Sequence, residues 1–496
     1  MFKKLIQKQL ENKVRKYLKK HKPTLVLIVG SVGKTSTKLA IATVLGEKYR
    51  VRADRGNRNT EMSVPTAIMG VDYPTEVRSV RQWLAVLQAM NLRIKQPRDV
   101  DVIVQEIGTD KPGDIASFGR YLHAEIAVVT AVSEEHMEFF PSIDDVAKEE
   151  LGVTKFARLT VINRDDVDVK YADIVDVDMI DTYGLGEKAE YRLSVEPSDP
   201  LQGRLGHIST PEWGELPVSL QLVGDHSLKA AAAAACVGAK LGLDSEQVSV
   251  GVSKISPVSG RMQLLRGVNG STVIDDSYNS SPLAAIRAIE TLSSVEAEQR
   301  IAVMGSMNEL GSSSADAHTR VGAAFEGAGV EYVVTVGQDA KQYLAPSAVK
   351  AGCQVRSFDS PYDAGSFVHN VLKKGAVVLV KGSQNRVFTE EAIKEILHST
   401  SDEKKLVRQS AEWLAIKHEQ FEKIKSIFDK VHAHLGFDHS TLLGANKLKD
   451  LSFYSDNVEI MLVNGLRDPI LHSSFSKLSD TTMLYTGGGI LPKNIL

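Results

Sequence analysis

The feature that most constrains this chain is a glycine-rich turn between an apolar segment and a helical one. The segment "TLVLIVG" ends at Gly30 and "SVGKTSTKLA" follows, which gives the pattern G-x-x-G-K-T. Glycines let backbone N–H groups curl round a phosphate, the following helix N-terminus adds positive potential, and the lysine neutralises β- and γ-phosphate oxygens. The pattern therefore predicts a nucleotide-binding loop at Ser31, Val32, Gly33, Lys34, Thr35 and Ser36.

The rest of the chain to about residue 398 alternates short apolar strands with helical stretches. "VDVIVQEIG", "EIAVVTAV", "RIAVMGSMNELG" and "AVVLVKGSQNRVF" are such strands, and this rhythm is typical of a parallel α/β sheet. The Ser/Pro/Gly content of "ISPVSGR" indicates a linker. We therefore expect an α/β protein with a central phosphate-loop domain at 24–258, built on a mostly parallel sheet, and a Rossmann-like domain at 259–398.

The two ends of the chain have a different character. Residues 1–22 hold nine Lys/Arg and only Glu11 as an acid, a local charge of +8, and their apolar residues fall on one helical stripe. We interpret 1–23 as a basic amphipathic helix that packs on the body. The alternative is a helix that lies on an anionic membrane surface. We expect residues 399–496 to form an extension of unknown role that is helical at its start.

Composition excludes several classes of protein. The 496 residues are 43% hydrophobic and 24% charged with a net charge of −3, which gives no argument for nucleic acid. Cys236 and Cys353 are the only cysteines, so a disulfide framework or a zinc ribbon is not expected and a reducing cytoplasm fits. No apolar run approaches the ~18 residues that span a bilayer.

A nucleotide carrying Mg²⁺ also needs hard oxygen ligands at strand ends. Glu106 ends the strand "DVDVIVQE", and the Thr35 hydroxyl follows the loop lysine. His136 comes just after another strand. Taken alone, His136 is an ordinary loop residue and Glu106 an ordinary strand-end charge.

Several stretches in this order resemble one family, the Mur ligases. They are G-x-x-G-K-T, "GNRNTEMSVP", "QEIGTDKPGDI", "SEEHMEFF", "NRDD", "GDHSLKAAAAA", "SGRM" and "DDSYNSSP", spread over residues 24 to about 398. "GSMNELG" and "VKGSQNRVF" favour the branch that adds D-alanyl-D-alanine to a muramoyl tripeptide. The resemblance implies an ATP-dependent, ADP-forming ligase of cell-wall biosynthesis, which joins a UDP- or lipid-linked muramoyl peptide to an amino acid or dipeptide through an acyl phosphate.

The resemblance also implies roles for individual residues. Thr35 and Glu106 would bind one Mg²⁺, His136 would help to bind a second, and Lys34 would neutralise the transferring phosphoryl group. Arg261, Asp276 and Asn279 would reach ATP from the C-terminal domain. Asn57 and Asn59 would face the acyl substrate.

Three departures from the family pattern accompany these roles. Only 23 residues precede the first strand, so we expect the family's N-terminal uridine-binding domain to be absent or replaced by 399–496 or a partner. The carbamylated lysine that braces the second metal in relatives falls on Glu150, for which we expect a catalytic carboxylate without any need for bicarbonate. The family's H-N-x-x-N pattern around adenine keeps its histidine as His226, but Ser227 and Ala230 replace the two asparagines. The preference for ATP over GTP is therefore left open.

Other interpretations remain open from the sequence. A Mur-related ligase with a lipid-linked, folate or polyglutamyl-type acceptor is one, although the relative that amidates lipid-linked precursors carries four zinc-binding cysteines. A nucleotide-binding scaffold without catalysis is another. Glu309 and His318 match motif positions of the D-alanyl-D-alanine branch, and we assign them no catalytic role.

Overall fold

The computed structural model describes residues 2–175, 179–383 and 387–407. Four short strand segments farther along are described in their backbone alone: Leu451–Phe453, Ile460–Leu462, Tyr485–Thr486 and Gly489–Ile490. From residue 408 onward, the helical start expected for the extension at 399–496 lies outside the described residues. The 3₁₀ turn Thr400–Lys405 precedes that point.

The first sheet of the described chain surrounds the glycine-rich turn. Its strands are β1 (Thr24–Val29), β2 (Val51–Ala53), β3 (Val102–Glu106), β4 (Ala124–Val129), β5 (Ala157–Asn163), β6 (Ile180–Gly184), β7 (Tyr191–Val195), β8 (Arg204–Thr210) and β9 (Gly214–Leu220). They lie in the order β2-β3-β1-β4-β5-β6-β7-β8-β9, parallel as far as β7 and antiparallel beyond it. Because β1 lies between β3 and β4, the turn after β1 opens at the switch point where α/β sheets bind ligands.

The second sheet forms the other half of the molecule. Its strands are β10 (Gln263–Arg266), β11 (Thr272–Asp276), β12 (Arg300–Gly305), β13 (Tyr332–Val336), β14 (Gln354–Phe358) and β15 (Val377–Lys381). The order is β10-β11-β15-β12-β13-β14, with every pair parallel except β10 and β11. The α/β class is thus confirmed.

Helices cover both sheets, as parallel strands buried on both faces require. They are α1 (Phe2–His21), α2 (Lys34–Leu45), α3 (Val64–Met69), α4 (Val80–Lys95), α5 (Asp114–Phe118), α6 (Ile143–Glu150), α7 (Asp225–Lys240), α8 (Ser245–Ser253), α9 (Pro282–Ser294), α10 (Ser314–Ala323), α11 (Ala345–Lys350), α12 (Pro361–Val371) and α13 (Glu390–Lys394). The expected boundary at 258/259 falls between α8 and β10. Leu406 packs in the core of the second sheet, so that core continues past the expected boundary at residue 398.

Helix α1 packs its apolar stripe onto the body of the first domain. Ile6, Leu10, Val14 and Tyr17 are buried in the same core as β1 and α4. The stripe is therefore not available to a lipid surface, and the membrane alternative for residues 1–22 is not supported. In the described part of the chain, no helix is both long and apolar enough to cross a bilayer.

The packing of α1 can be tested by removing one buried side chain. We expect Leu10→Ala to lower the free energy of unfolding by about 2–5 kcal/mol, because Leu10 is fully buried and its loss leaves a cavity. The exposed Lys8→Ala on the same helix is the control, expected to stay within about 0.5 kcal/mol. Equal effects of the two changes in denaturant unfolding would contradict the packing.

Candidate active site

A cavity of about 390 Å³ lies between the two sheets and is lined from both. The phosphate loop and the ends of β3 and β4 contribute one wall, and the ends of β11 and β15 with the start of α9 contribute the other. Parallel strands place their carboxyl ends at one edge, so two such edges facing each other make a cleft.

The phosphate loop adopts a conformation that only its glycines allow. Gly30 has φ of 122° and Gly33 has φ of 89°, values that other residues rarely adopt. A Cβ at Gly30 would also lie 2.3 Å from the Thr130 hydroxyl. Helix α2 begins directly afterwards at Lys34, so its free N–H groups face the cavity, as anion binding requires.

Glu106 is the centre of a cluster of polar side chains below the loop. The Thr35 hydroxyl donates to Glu106 Oε2 at 2.9 Å, and Lys38 Nζ lies 3.4 Å from the same oxygen. The Lys38 and Glu106 side chains are both fully buried, and burial lowers the pKa of Lys38 against the opposing effect of Glu106. The other carboxylate oxygen, Oε1, is buried without a hydrogen-bond partner. Lys38 was not singled out from the sequence, although it follows Lys34 by one helical turn.

These residues fit a magnesium ion. A free carboxylate oxygen beside a threonine hydroxyl is the donor set that Mg²⁺ accepts, and Mg²⁺ commonly takes only one or two carboxylates together with phosphates and water. Among the described residues, no group of three or more acidic, histidine or cysteine side chains forms a metal cage. A site that depends on the nucleotide's phosphates is consistent with both observations.

Lys34 is held inside the loop by backbone and carboxylate oxygens. Its ammonium donates to the Gly30 carbonyl and lies 3.6 Å from Glu135. Burial alone would lower the pKa of Lys34, but nearby carboxylates, Glu135 first, outweigh burial and raise it. The lysine is therefore charged and placed to meet phosphate oxygens.

Glu150 lies behind the loop instead of in the cavity. Its Oε2 accepts the Gly30 N–H at 2.9 Å, and it is not among the residues that line the cavity. Burial raises the pKa of Glu150 to about 7, with Lys34 acting in the opposite direction. Helix α6 ends at Glu150 beneath the loop, where the Glu150 side chain supports the backbone of the loop, and its role as a catalytic carboxylate stays a prediction.

His136 lies at the mouth of the cavity, facing the second domain. Its Nδ1 is 2.9 Å from Glu309 Oε2, and its Nε2 is 3.9 Å from both Asp110 and Glu135. Burial opposes protonation, but the hydrogen bond with Glu309 and the charge of Glu135 outweigh it and raise the pKa of His136. A role for His136 in binding a second metal stays a prediction. Glu309, which was assigned no catalytic role, lines the cavity.

His318 bonds backbone groups and does not line the cavity. Its Nε2 accepts the Met307 N–H at 2.9 Å and its Nδ1 lies 2.8 Å from the Ser314 carbonyl. The ring is fully buried, and burial lowers its pKa. It therefore fixes the loop that carries Glu309.

The second domain brings three expected residues and one further lysine to the cavity. Arg261 Nη2 donates to the Thr35 hydroxyl at 3.2 Å, and its guanidinium stacks 4.2 Å from the Tyr278 ring centre. Asp276 Oδ2 accepts from Lys381 Nζ at 2.6 Å, and the same ammonium donates to the Asn279 carbonyl at 2.9 Å. Lys381 ends β15, a strand-end position that sequence reasoning did not single out.

The remaining expected residues also line the cavity. Asn57 and Asn59 lie on the loop after β2, and the Asn59 carbonyl accepts the Gly108 N–H at 2.9 Å. At another part of the lining, Lys229 Nζ pairs with Asp166 at 2.7 Å, a partly buried pair that sequence reasoning missed. Ser227 and Ala230, which replace the family's amides, are buried on α7.

Comparison with known proteins agrees with this architecture. Residues 28–238 match the model of the Mur ligase middle domain, and residues 260–384 match the Mur ligase glutamate ligase domain. The MurF structure from Thermotoga maritima in complex with ADP has a TM-score of 0.66 at 22% identity and covers 78% of this chain and 83% of that one. A MurF structure from Acinetobacter baumannii has a TM-score of 0.65 at 20% identity, covering 78% and 79%. These likenesses show the fold.

Curated relatives are similar in sequence over most of both chains. A UDP-N-acetylmuramoyl-tripeptide–D-alanyl-D-alanine ligase of Bacillus subtilis is 26% identical over 401 residues, 79% of each chain. The enzyme of that name from Escherichia coli is 25% identical over 338 residues, 65% of this chain and 67% of that one. The chain belongs to the Mur ligase family, the ATP-dependent, ADP-forming amide ligases. Within that family, the two solved structures are of MurF, and both curated relatives are named as UDP-N-acetylmuramoyl-tripeptide–D-alanyl-D-alanine ligases.

The buried Glu150 carboxyl predicts a pH-dependent stability. Its folded-state pKa of about 7 lies above the ordinary value of 4.5, so the folded state binds more protons between these values and loses stability as pH rises through them. We expect the free energy of unfolding of the wild type to fall by up to roughly 3 kcal/mol between pH 4.5 and 8 because of this carboxyl. Glu150→Gln should abolish that fall. Denaturant unfolding across this range measures the loss. The exposed Glu296→Gln is the control, and parallel pH profiles for wild type and Glu150→Gln would contradict the assignment.

Proposed function

We propose that this protein joins the carboxylate of a muramoyl peptide to the amine of D-alanyl-D-alanine, using ATP. The observation that carries the proposal is the contact of Arg261 with Thr35, which brings a cation of the second domain to the phosphate loop of the first. The names of the relatives supply the two substrates. Two cysteines without a disulfide and the use of ATP fit a cytoplasmic reaction.

Each wall of the cavity has a part in such a reaction. The loop N–H groups and Lys34 hold the β- and γ-phosphates, while Arg261 adds positive charge from the opposite wall. A substrate carboxylate oxygen bonds to the γ-phosphorus as the bond to the ADP oxygen breaks, which gives an acyl phosphate. The amine nitrogen then bonds to the acyl carbon, and inorganic phosphate leaves.

Magnesium supplies charge neutralisation for the phosphates when it is bound, and Thr35 with Glu106 would hold it. The residues' own work is positional. Lys38 compensates the charge of Glu106 from below, so the free Oε1 is the oxygen left for a cation. Lys381 holds Asp276, which accepts the Met262 N–H at 3.2 Å and so fixes the segment next to Arg261.

The proposed magnesium site predicts a metal-dependent change in nucleotide binding. Thr35→Val and Glu106→Gln are each expected to reduce the Mg²⁺-dependent gain in ADP affinity about tenfold or more, since each removes a polar group worth ~1.5–3 kcal/mol to a charged partner. Thr43→Val, on the same helix with its hydroxyl bonded to the Leu39 carbonyl, is the control. Titrations with and without Mg²⁺ measure the gain. An unchanged gain in both Thr35→Val and Glu106→Gln would rule the site out.

The substrates can be tested with a panel of amines, D-alanyl-D-alanine included, against UDP-linked and lipid-linked muramoyl peptides, a folate and a polyglutamyl peptide. We expect phosphate release only when an acyl substrate and an amine are both present, and the fastest release with D-alanyl-D-alanine. Release that needs neither substrate, or none with any pair, would contradict the proposal. Faster release with a folate or polyglutamyl acceptor would replace the proposed acyl substrate.

A further inference from the structure

A small side chamber of about 50 Å³ lies next to the nucleotide cavity, between the two domains. The first domain supplies the segment 134–136, and the second supplies segments 279–281 and 308–310 together with Ser383. Residues such as His136 and Ser280 line both spaces. The chamber therefore adjoins the place where phosphates bind and exists only when the two domains are together.

Three carboxylates lie in the wall of the chamber. Glu134, Glu135 and Glu309 line it, and no lysine or arginine is among its described lining residues. Each carboxylate has a cationic or histidine neighbour on one side: Arg320 beside Glu134, Lys34 beside Glu135 and His136 beside Glu309. Their remaining oxygen lone pairs are left for another donor, because a carboxylate accepts about four hydrogen bonds.

Two serine hydroxyls of the chamber wall lack hydrogen-bond partners. Ser280 is only 6% exposed, and its hydroxyl has no hydrogen-bond partner in the described structure. The Ser281 hydroxyl is likewise buried without one. Buried hydroxyls are normally paired, so these two leave hydrogen-bonding capacity for a polar ligand or water in the chamber wall.

The side chains of the chamber suit an ammonium group. Such a group needs separate acceptors for its N–H bonds, which carboxylates and serine hydroxyls provide. About 50 Å³ accommodates such a head group, and the rest of a larger amine would extend into the main cavity.

Glu309 is held in place by an unusual backbone. Both Glu309, with φ of 64°, and its partner His136, with φ of 53°, lie in the left-handed region that non-glycine residues rarely adopt. The 2.9 Å contact between them joins the two domains. Strain of this kind persists where the surrounding structure imposes it, often at ligand sites.

We propose that the side chamber binds the ammonium group of the incoming amine and that Glu309 is the residue that positions it. The inference rests on the proposed function, since it concerns the amine of that ligase. The bound ammonium first passes one proton to water, and the neutral nitrogen then bonds to the acyl carbon as the bond from that carbon to the phosphate oxygen breaks. The second proton leaves on inorganic phosphate, so Glu309 orients the nitrogen without having to retain a proton.

Direct binding of methylammonium tests the chamber independently of the reaction. We expect saturation-transfer NMR to show methylammonium bound to the full chain with Mg²⁺ and ADP, and Glu309→Gln to weaken this binding at least fivefold. Ser280→Ala, which removes an unpaired hydroxyl and no existing bond, is expected to weaken it about twofold or more. The exposed Glu138→Gln removes a charge from the same loop outside the chamber and should leave binding unchanged.

Steady-state kinetics then separates positioning from a general structural effect. Glu309→Gln should raise KM for D-alanyl-D-alanine about tenfold, while KM for ATP stays within about twofold and the Mg²⁺ dependence is unchanged. Glu138→Gln should behave as wild type. Equal effects of the two variants, or an effect of Glu309→Gln on Mg²⁺ instead of on the amine, would overturn the inference.

The two proposals fail in different ways. If wild type binds methylammonium through Glu309 but no amine supports phosphate release, the proposed substrates are wrong and the chamber stands. If D-alanyl-D-alanine is a substrate but methylammonium fails to bind, or binds equally to Glu309→Gln, the chamber is refuted and the ligase stands.

Discussion

The structure depends on the buried carboxylate of Glu106. A charge in the interior is costly unless it is paired, and here one oxygen is satisfied by Thr35 and Lys38 while the other has no partner. Thr35 belongs to the phosphate loop and Lys38 to the helix that follows it, so a single carboxylate at the end of β3 fixes the start of α2. The loop can then present its N–H groups in one direction. The unpaired Oε1 of Glu106 carries negative charge that a cation can neutralise.

The second constraint is that neither domain has a complete site. The loop, Glu106 and His136 belong to the first sheet, whereas Arg261, Asp276 and Lys381 belong to the second. Arg261 joins them by donating to the threonine that also bonds Glu106, so the interdomain contact and the phosphate-loop contact share one hydroxyl. This arrangement suits a ligase, because bringing two substrates together from opposite walls supplies much of what acyl transfer needs.

The sequence predicted those parts of the site that follow local rules. The loop could be predicted because glycines at this spacing, between a strand and a helix, seldom form anything but a phosphate site. Glu106 could be predicted because it ends a strand. Lys38, Lys381 and Lys229 were missed because their significance lies in partners up to 105 residues away, such as Asp276 for Lys381. For Glu150, sequence spacing gave the position in the family pattern but not that the side chain lies beneath the loop and accepts the Gly30 N–H. The buried stripe of α1 shows the same limit, since periodicity predicts an apolar face but not what covers it.

Helix α7 sets the spacing of the site although it holds none of the proposed catalytic residues. Its residues Ala230 to Ala235 are all buried in the core shared with α2 and β5, and farther along Gly238 lies so close to Val44 of α2 that a Cβ there would be 3.0 Å from the valine methyl. Both helices pack on the first sheet, and small side chains between them determine how closely α7 approaches α2, the helix that begins at the phosphate loop. A library of random substitutions should therefore contain a class of poorly active proteins whose changes lie in this alanine run, remote from every reacting atom. In such proteins the chemistry would be intact but displaced by the width of an added methyl group.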